Sequence, residues 1–201
     1  NKLARRVKIS VGVDGILRAS IPYYSPEFAV KRLINHNRAE IRQMLAQHNS
    51  QNIYQDGDLI GKTHTLFIRH FLGKETKISV DGNQILVQVP ECLTFGDSLV
   101  QAEIRKVVVK ILRKQAKAYL SRRIDFLAEK YDFEFRKLRF SHTSTRWGSC
   151  SSSGTISLNI ALMNLPHHLI DYVIIHELCH TRQMNHSQKF WAEVEKYCPN
   201  Y

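Results

Sequence analysis

The feature that most constrains this chain is a short stretch in which histidines follow an apolar run. Residues 171–191 read DYVIIHELCHTRQMNHSQKFW. The apolar residues 172–175 predict the buried side of a helix, and the polar groups directly after them would lose solvation beside it. Such groups need a compensating partner, and a metal ion is the first partner to consider.

The segment HELCH at residues 176–180 has the form H-E-x-x-H within this predicted helix. Residues four positions apart lie about 40° apart on a helix, so the imidazoles of His176 and His180 can reach one zinc ion. Glu177 then lies beside the ion, where a general base for a metal-bound water belongs. A catalytic zinc has a third protein ligand, and we predict that His186 supplies it.

Other interpretations of these residues stay open. The helix histidines could pair with Glu177 and backbone groups without any metal, but a third histidine just past the helix end favours the metal site. Cys179 could be a soft ligand, yet it lies about 60° to the far side of His176 on the helix and is better explained as a small packing residue. His142 and Arg146 are further candidates for contacting the substrate or an oxyanion, although no spacing argument selects either.

The composition indicates a water-soluble globular protein. Of the 201 residues, 43% are hydrophobic and 23% are charged, and no apolar run approaches the roughly 18 residues of a membrane span. The first residues lack the apolar core of a signal peptide. The four cysteines are too scattered for a disulfide scaffold. We therefore expect a cytoplasmic protein with reduced thiols and no membrane partner.

The net charge of +11 raises the question of a polyanionic partner. Between Arg105 and Arg139 the chain carries 12 Lys and Arg residues against four acids. Such a basic stripe could bind nucleic acid. Without a nucleic-acid-binding motif or interleaved aromatic residues, the solvated face of a long helix is the favoured interpretation.

Turn signals divide much of the chain into short strands. The dipeptide Asp-Gly at 14–15, between alternating runs, predicts a hairpin of residues 6–13 and 16–21. The tripeptide Asp-Gly-Asn at 81–83 predicts another tight turn. Further strands are predicted at residues 66–71, 77–80, 84–89, 138–144 and 155–159, the last two around a Gly/Ser-rich turn at 148–154.

Four helices complete the predicted order. Ser25-Pro26 opens the first, which runs to about Gln47. Apolar residues at helical spacing predict the second, from Ser98 to about Lys130. The third begins at Pro166, and the fourth covers residues 188–197 after a cap at Ser187. We expect a β-rich N-terminal subdomain with one helix over residues 1–95 and a catalytic subdomain over residues 96–201.

Several motifs together resemble a known family. They are RWGSCS at 146–151, GTISLN at 154–159, HELCH at 176–180, NHS at 185–187 and FW at 190–191. In this order they are similar to the YgjP-type family of predicted zinc metallopeptidases, a zincin-like relative of the SprT-like and WLM-type proteins. The resemblance implies zinc at His176, His180 and His186, with Glu177 catalytic. It also implies that residues 146–159 form sheet beside the cleft, facing the substrate.

We therefore expect an α+β protein in which the catalytic half is zincin-like, with an active-site helix beside a small sheet. The expected activity is that of a zinc metallopeptidase, which cleaves protein or peptide amide bonds with a zinc-activated water and Glu177 as base. Two alternatives remain. One is a metal-dependent hydrolase of a phosphoanhydride or nucleotide, and the other is a DNA-associated metalloprotease. Basic residues lining the cleft would support the first, and salt-dependent DNA binding the second.

Overall fold

A computed structural model describes residues 8–11, 17–20, 38 and 53–199. Strands β1 (Lys8–Val11) and β2 (Leu17–Ser20) pair antiparallel, with Val11 opposite Leu17, which confirms the N-terminal hairpin. The turn between them lies outside the described residues. Of the helix predicted between residues 25 and 47, only Arg38 is described, and its backbone is helical.

A four-stranded sheet follows in the N-terminal half. Its strands are β3 (Leu59–Ile60), β4 (His64–Phe71), β5 (Lys77–Asp81) and β6 (Gln84–Pro90), in the spatial order β3-β4-β6-β5. Strand β6 is parallel to β4 and antiparallel to β5, whose hairpin turn contains Gly82 at φ +53°. Alternate residues of β4 and β6 face the core, and Leu66, Ile85 and Val87 are fully buried.

The longest element is helix α1 (Ser98–Lys130), whose bounds agree with the sequence prediction. Its buried residues include one at every fourth position, namely Val100, Ile104, Val108, Leu112, Ala116, Leu120, Ile124 and Ala128. Because each step of four residues advances about 40° around a helix, this buried stripe winds around α1 instead of following one face. The two ends of α1 therefore pack against different parts of the protein.

Polar contacts of α1 show the same change of partner. Near its start, the buried Gln101 accepts a hydrogen bond from the Tyr54 amide and donates to the Tyr54 carbonyl. Near its end, Arg123 forms a bidentate ion pair with Asp171, at 2.7 and 2.6 Å. The first contact ties α1 to the N-terminal half, and the second ties it to the helix that carries the H-E-x-x-H motif.

A three-stranded sheet forms the second half together with two helices. Strands β7 (Lys137–Ser141), β8 (Gly148–Cys150) and β9 (Thr155–Asn159) have the order β7-β9-β8, with β9 parallel to β7 and antiparallel to β8. The sequence prediction of a turn over residues 148–154 was wrong for the first three residues, which form β8. The buried Asn159 side chain donates to the carbonyls of Thr143 and Arg146 and so holds the loop before β8.

A short 3-10 helix (Ile160–Asn164) leads into α2 (His167–Cys179), and α3 (Gln188–Tyr197) follows. Pro166 and Ser187 occupy the N-cap positions of α2 and α3, as the sequence predicted. Fully buried Ile170, Ile174 and Leu178 attach α2 to the core. The protein is thus α+β, with the motif-bearing helix beside a small sheet. None of the described helices is long and apolar enough to cross a bilayer.

Candidate active site

Three histidines converge at the end of α2. His176 lies in its last turn, His180 is its C-cap, and His186 lies in the segment that leads to α3. One ring nitrogen from each lies within 4.8 Å of the other two, and the Nε2 atoms of His176 and His186 are 3.2 Å apart. Among the described residues, this is the group of side chains suited to holding a metal ion.

The chain after α2 is folded back by local hydrogen bonds. The amides of Thr181 and Arg182 donate to the carbonyls of Leu178 and Cys179, at 2.9 and 3.0 Å. The Arg182 guanidinium then donates to Glu193 of α3 at 2.6 Å and to the carbonyl of Asp132, which follows α1. These contacts fix the path of the segment that brings His186 back over the helix.

Aromatic rings enclose the histidines on one side. The fully buried Phe190 ring lies with its centroid 4.9 Å from His176, 4.4 Å from His180 and 4.8 Å from His186. The Trp191 ring lies 5.6 Å from the His186 ring. Helix α3 thus supplies an apolar wall for the imidazoles.

Burial keeps the helix imidazoles neutral. It lowers the pKa of His176 to about 4, with a smaller contribution from the neighbouring His180 and His186. Burial also lowers the pKa of His180, and its Nδ1 lies 3.0 Å from the Gln183 carbonyl. With Nδ1–H donating to that carbonyl, Nε2 keeps a lone pair for a metal.

The arrangement fits a zinc ion. Two nitrogen ligands at about 2.0–2.1 Å from a tetrahedral zinc lie about 3.3–3.4 Å from each other. The 3.2 Å between the Nε2 atoms of His176 and His186 is close to that separation. Two imidazole nitrogens facing each other at this distance can form at most one hydrogen bond, whereas a cation between them satisfies both lone pairs.

Glu177 is a buried carboxyl group with an unusual environment. Its side chain is 5% exposed, and burial raises its pKa to about 7 against the opposing charge of Arg146. Its Oε2 atom is buried without a hydrogen-bond partner among the described residues. A Cβ atom added at Gly148 would lie 2.5 Å from Oε1 and 2.6 Å from Cγ. Only glycine lets β8 approach this carboxyl so closely.

Two cavities meet at Glu177. The histidine cavity, of about 270 Å³, is lined by Gly148, Ser149, Cys150, His176, Glu177, His180, Met184 and His186. The Trp147 cavity, of about 240 Å³, is lined by Trp147, Gly148, Tyr172, Val173, His176 and Glu177. Among the described residues, neither lining includes Lys or Arg.

The other predicted site residues lie nearby or at the edge. Arg146 is exposed and precedes β8, and its charge acts on Glu177. His142 is half-buried, just past β7, and lines neither cavity. Sequence reasoning did not assign roles to Gly148 and Tyr172, both of which line the Trp147 cavity. For Gly148, the available signal was a glycine inside a segment expected to face the substrate.

Histidines that converge beside a buried carboxyl group are typical of metal-dependent hydrolases. The chain belongs to the YgjP-like family: the model of the YgjP-like metallopeptidase domain matches residues 5–201. It is therefore a metal-dependent peptidase by family, as the motifs in the sequence had indicated.

Two solved structures resemble part of the chain. The metallopeptidase zymogen of Pyrococcus abyssi abylysin is 28% identical, with a TM-score of 0.37, over 40% of this chain and 80% of its own. The metallopeptidase zymogen of Methanocaldococcus jannaschii jannalysin is 24% identical, with a TM-score of 0.35, over 38% of this chain and 79% of its own. No curated protein matches the chain.

Proposed function

We propose that the protein is a zinc peptidase in which His176, His180 and His186 hold the ion and Glu177 is the general base. The observation that carries the proposal is the convergence of three imidazole nitrogens within 4.8 Å, beside a carboxyl group that is 5% exposed. A zinc ion bound there would supply a Lewis acid that activates water and polarises the scissile carbonyl.

The imidazoles are suited to their role because burial lowers the pKa of His176 and His180 and because local contacts hold the rings in place. The pKa of His176, about 4, keeps this ring unprotonated near pH 7. The contact of His180 Nδ1 with the Gln183 carbonyl orients the second ring. The third ring, that of His186, is packed against Phe190 and Trp191. Little rearrangement is needed for all three to bind one ion.

Glu177 takes the proton from the attacking water and passes it to the leaving amine. A base works best when its pKa is near the working pH, and burial raises the pKa of Glu177 to about 7. Its Oε2 atom makes no hydrogen bond within the described part of the chain, so this atom can accept the proton. Arg146 keeps the carboxyl partly ionised, since its charge lowers the pKa.

Protein or peptide substrates fit the strand beside the site. Among the described strands, β8 pairs with β9 alone, so β8 lies at the edge of the described sheet. Its residues Gly148–Cys150 line the histidine cavity. The free edge of such a strand can hydrogen-bond to an extended peptide. Arg146 and His142 are the proposed contacts to the substrate carbonyl, and the effect of Arg146 on Glu177 supports the former.

The two alternative functions are less well supported. An anionic phosphoanhydride substrate would be attracted by basic residues in the cleft, but no Lys or Arg of the described part of the chain lines either cavity. Two residues of the basic stripe are also engaged within the protein. Arg105 is buried, and Arg123 is paired with Asp171. Lys110, Arg113 and Lys114 are exposed on α1, as expected of a solvated face.

The test compares Glu177→Gln with the exposed control Glu129→Gln. Glutamine keeps the size of the side chain but cannot accept a proton at neutral pH, so cleavage of an unfolded protein substrate should fall at least about 10²-fold. Zinc content, by elemental analysis, should stay near that of the wild type in both variants. Full activity in zinc-loaded Glu177→Gln would show that Glu177 is not the general base. Loss of zinc from it would make Glu177 a ligand instead.

A further inference from the structure

The Trp147 cavity opens directly beside the proposed reaction centre. It shares Gly148, His176 and Glu177 with the histidine cavity. A peptide whose scissile bond lies at these shared residues would therefore place a neighbouring side chain in or near the Trp147 cavity. This geometry concerns substrate choice and is separate from the chemistry at Glu177.

The remaining lining is apolar and aromatic. Trp147 is 48% exposed, which is unusual for so large a side chain, and it lies at the start of β8. Tyr172 and Val173 precede His176 by one helical turn on α2, and the Tyr172 ring lies 5.9 Å from the His176 ring. Within the part of the chain that the structure describes, Glu177 is the one charged side chain that lines the cavity. A charged substrate group would lose its hydration here, while an apolar group would gain burial.

The size of the cavity limits what it can hold. At about 240 Å³, it lies below the range of roughly 300–1,000 Å³ that is usual for whole small-molecule ligands. One side chain of the size of Leu, Met or Phe matches this space better than a complete ligand does.

We propose that the Trp147 cavity is a specificity site that binds one apolar side chain of the substrate, next to the cleaved bond. The proposal rests on the proposed peptidase function and adds the substrate class: peptides with a large apolar residue at that position. Trp147 acts there as a specificity-determining residue that contacts the substrate side chain.

The test uses peptides that differ at one central position, which carries Leu, Phe, Gly, Asp or Lys. The zinc-loaded wild type should cleave the Leu and Phe peptides with a kcat/KM at least about 10-fold above the Gly peptide, since a single methylene is worth about 10–200-fold in an apolar pocket. Trp147→Ala should remove most of this ratio, because kcat/KM should fall much more for the Leu and Phe peptides than for the Gly peptide. Trp147→Phe should retain much of it.

Phe126→Ala is the matched control. Phe126 is 49% exposed, as Trp147 is 48% exposed, but it lies on α1 and lines neither cavity. This variant should keep the wild-type ratio between the Leu and Gly peptides. An equal loss in Trp147→Ala for every peptide, an unchanged Leu-to-Gly ratio, or a wild-type preference for Asp or Lys would overturn the specificity site.

Binding separates this proposal from the peptidase function itself. Zinc-loaded Glu177→Gln should bind the Leu peptide at least about 10-fold more tightly than the Gly peptide, and adding Trp147→Ala should abolish the difference. If the wild type cleaves none of the peptides, the peptidase proposal fails, and the binding ratio still decides the role of the cavity. Equal binding of all peptides would contradict the specificity site even where cleavage is observed.

Discussion

Three strands of the four-stranded sheet are arranged like the three strands of the second sheet, but their surroundings differ. In the N-terminal sheet β4 and β6 are parallel, and β5 lies antiparallel on the far side of β6. In the second sheet β7 and β9 are parallel, and β8 lies antiparallel on the far side of β9. In both, the last strand of the three is inserted between the first two. The strand arrangement by itself therefore does not make a site.

The difference lies in what the edge strand faces. Four of the five residues of β5 are exposed, including Val80 at 48%. The corresponding strand β8 lies against α2, and its Gly148 leaves no space between the backbone and the Glu177 carboxyl. A glycine in an edge strand and a helix bearing histidines thus turn a common sheet into one wall of a candidate active site. The predictions below test this contrast.

The largest effect is expected from the histidines themselves. His180→Ala should lose most bound zinc, and cleavage should fall by more than the roughly 10–100-fold that is typical of losing a second-shell partner. His70→Ala is the control in the N-terminal sheet, because His70 is exposed on β4 and stacks on Phe95. Elemental analysis should give unchanged zinc for this variant. Equal zinc content in the two variants would show that the metal is not bound by the histidines of α2.

The second effect is a change with pH in the stability of the metal-free protein. The pKa of Glu177 is raised to about 7, so its stabilising contribution is complete below pH 4.5 and is lost as pH rises through 7. The pKa of His176 is lowered from 6.5 to about 4, so its contribution is complete above pH 6.5 and is lost as pH falls through 4. The two contributions oppose each other.

Glu177→Gln removes one of these contributions. The free energy of unfolding of the chelator-treated variant, relative to the wild type, should therefore increase between pH 4.5 and 7.5, by up to about 3 kcal/mol. Urea unfolding at several pH values measures this difference, with Glu129→Gln as the control. A constant difference across this range would show that the Glu177 carboxyl is not perturbed by burial.

A smaller effect is expected from the close approach at Gly148. An alanine Cβ 2.5 Å from Glu177 Oε1 must displace the carboxyl or β8, and a shift of about 1 Å can cost about 10²-fold in rate. Gly148→Ala should lower kcat about 10–100-fold while retaining zinc. Gly96→Ala, where nothing lies within 4 Å of the added Cβ, should have no effect. In a Glu177→Gln background, Gly148→Ala should cause no further loss. Additive losses would mean that Gly148 does not act through Glu177.

The smallest effect compares the equivalent hairpin turns of the two sheets. Gly82 between β5 and β6 has φ +53°, and Gly154 between β8 and β9 has φ +75°. Alanine in this left-handed region costs roughly 1–2 kcal/mol. Both substitutions should lower the free energy of unfolding by about that amount and leave kcat/KM unchanged. If Gly154→Ala reduced activity without reducing stability, the turn itself would belong to the site.

Much of the local structure could be predicted from the sequence. The bounds of α1 followed from its apolar periodicity, the start of α2 from Pro166, and the β5–β6 hairpin from its Asp-Gly-Asn turn. The convergence of His176, His180 and His186 was likewise predicted from spacing on a helix and from the short segment that follows it. These features depend on neighbouring residues, which a sequence displays directly.

The features that could not be predicted from the sequence depend on contacts between distant segments. Strand β8 is three residues long, GSC, and has no alternating pattern to mark it. The parallel pairing of β7 with β9 passes over β8, which local patterns do not encode. The burial of Glu177 and the Trp147 cavity both arise where residues 147–150 contact α2. Strand β9 and the 3-10 helix separate these two segments in the sequence.

Zinc-edge X-ray absorption of the zinc-loaded wild type shows whether three histidines hold the ion, because it reports the type, number and distance of the ligands. We expect three imidazole nitrogens at about 2.0–2.1 Å from the zinc, a further light-atom ligand and no sulfur. Cys150 and Met184 line the histidine cavity and are the sulfur donors that could compete. A sulfur shell at about 2.3 Å, or fewer than three imidazoles, would contradict a catalytic centre built by His176, His180 and His186.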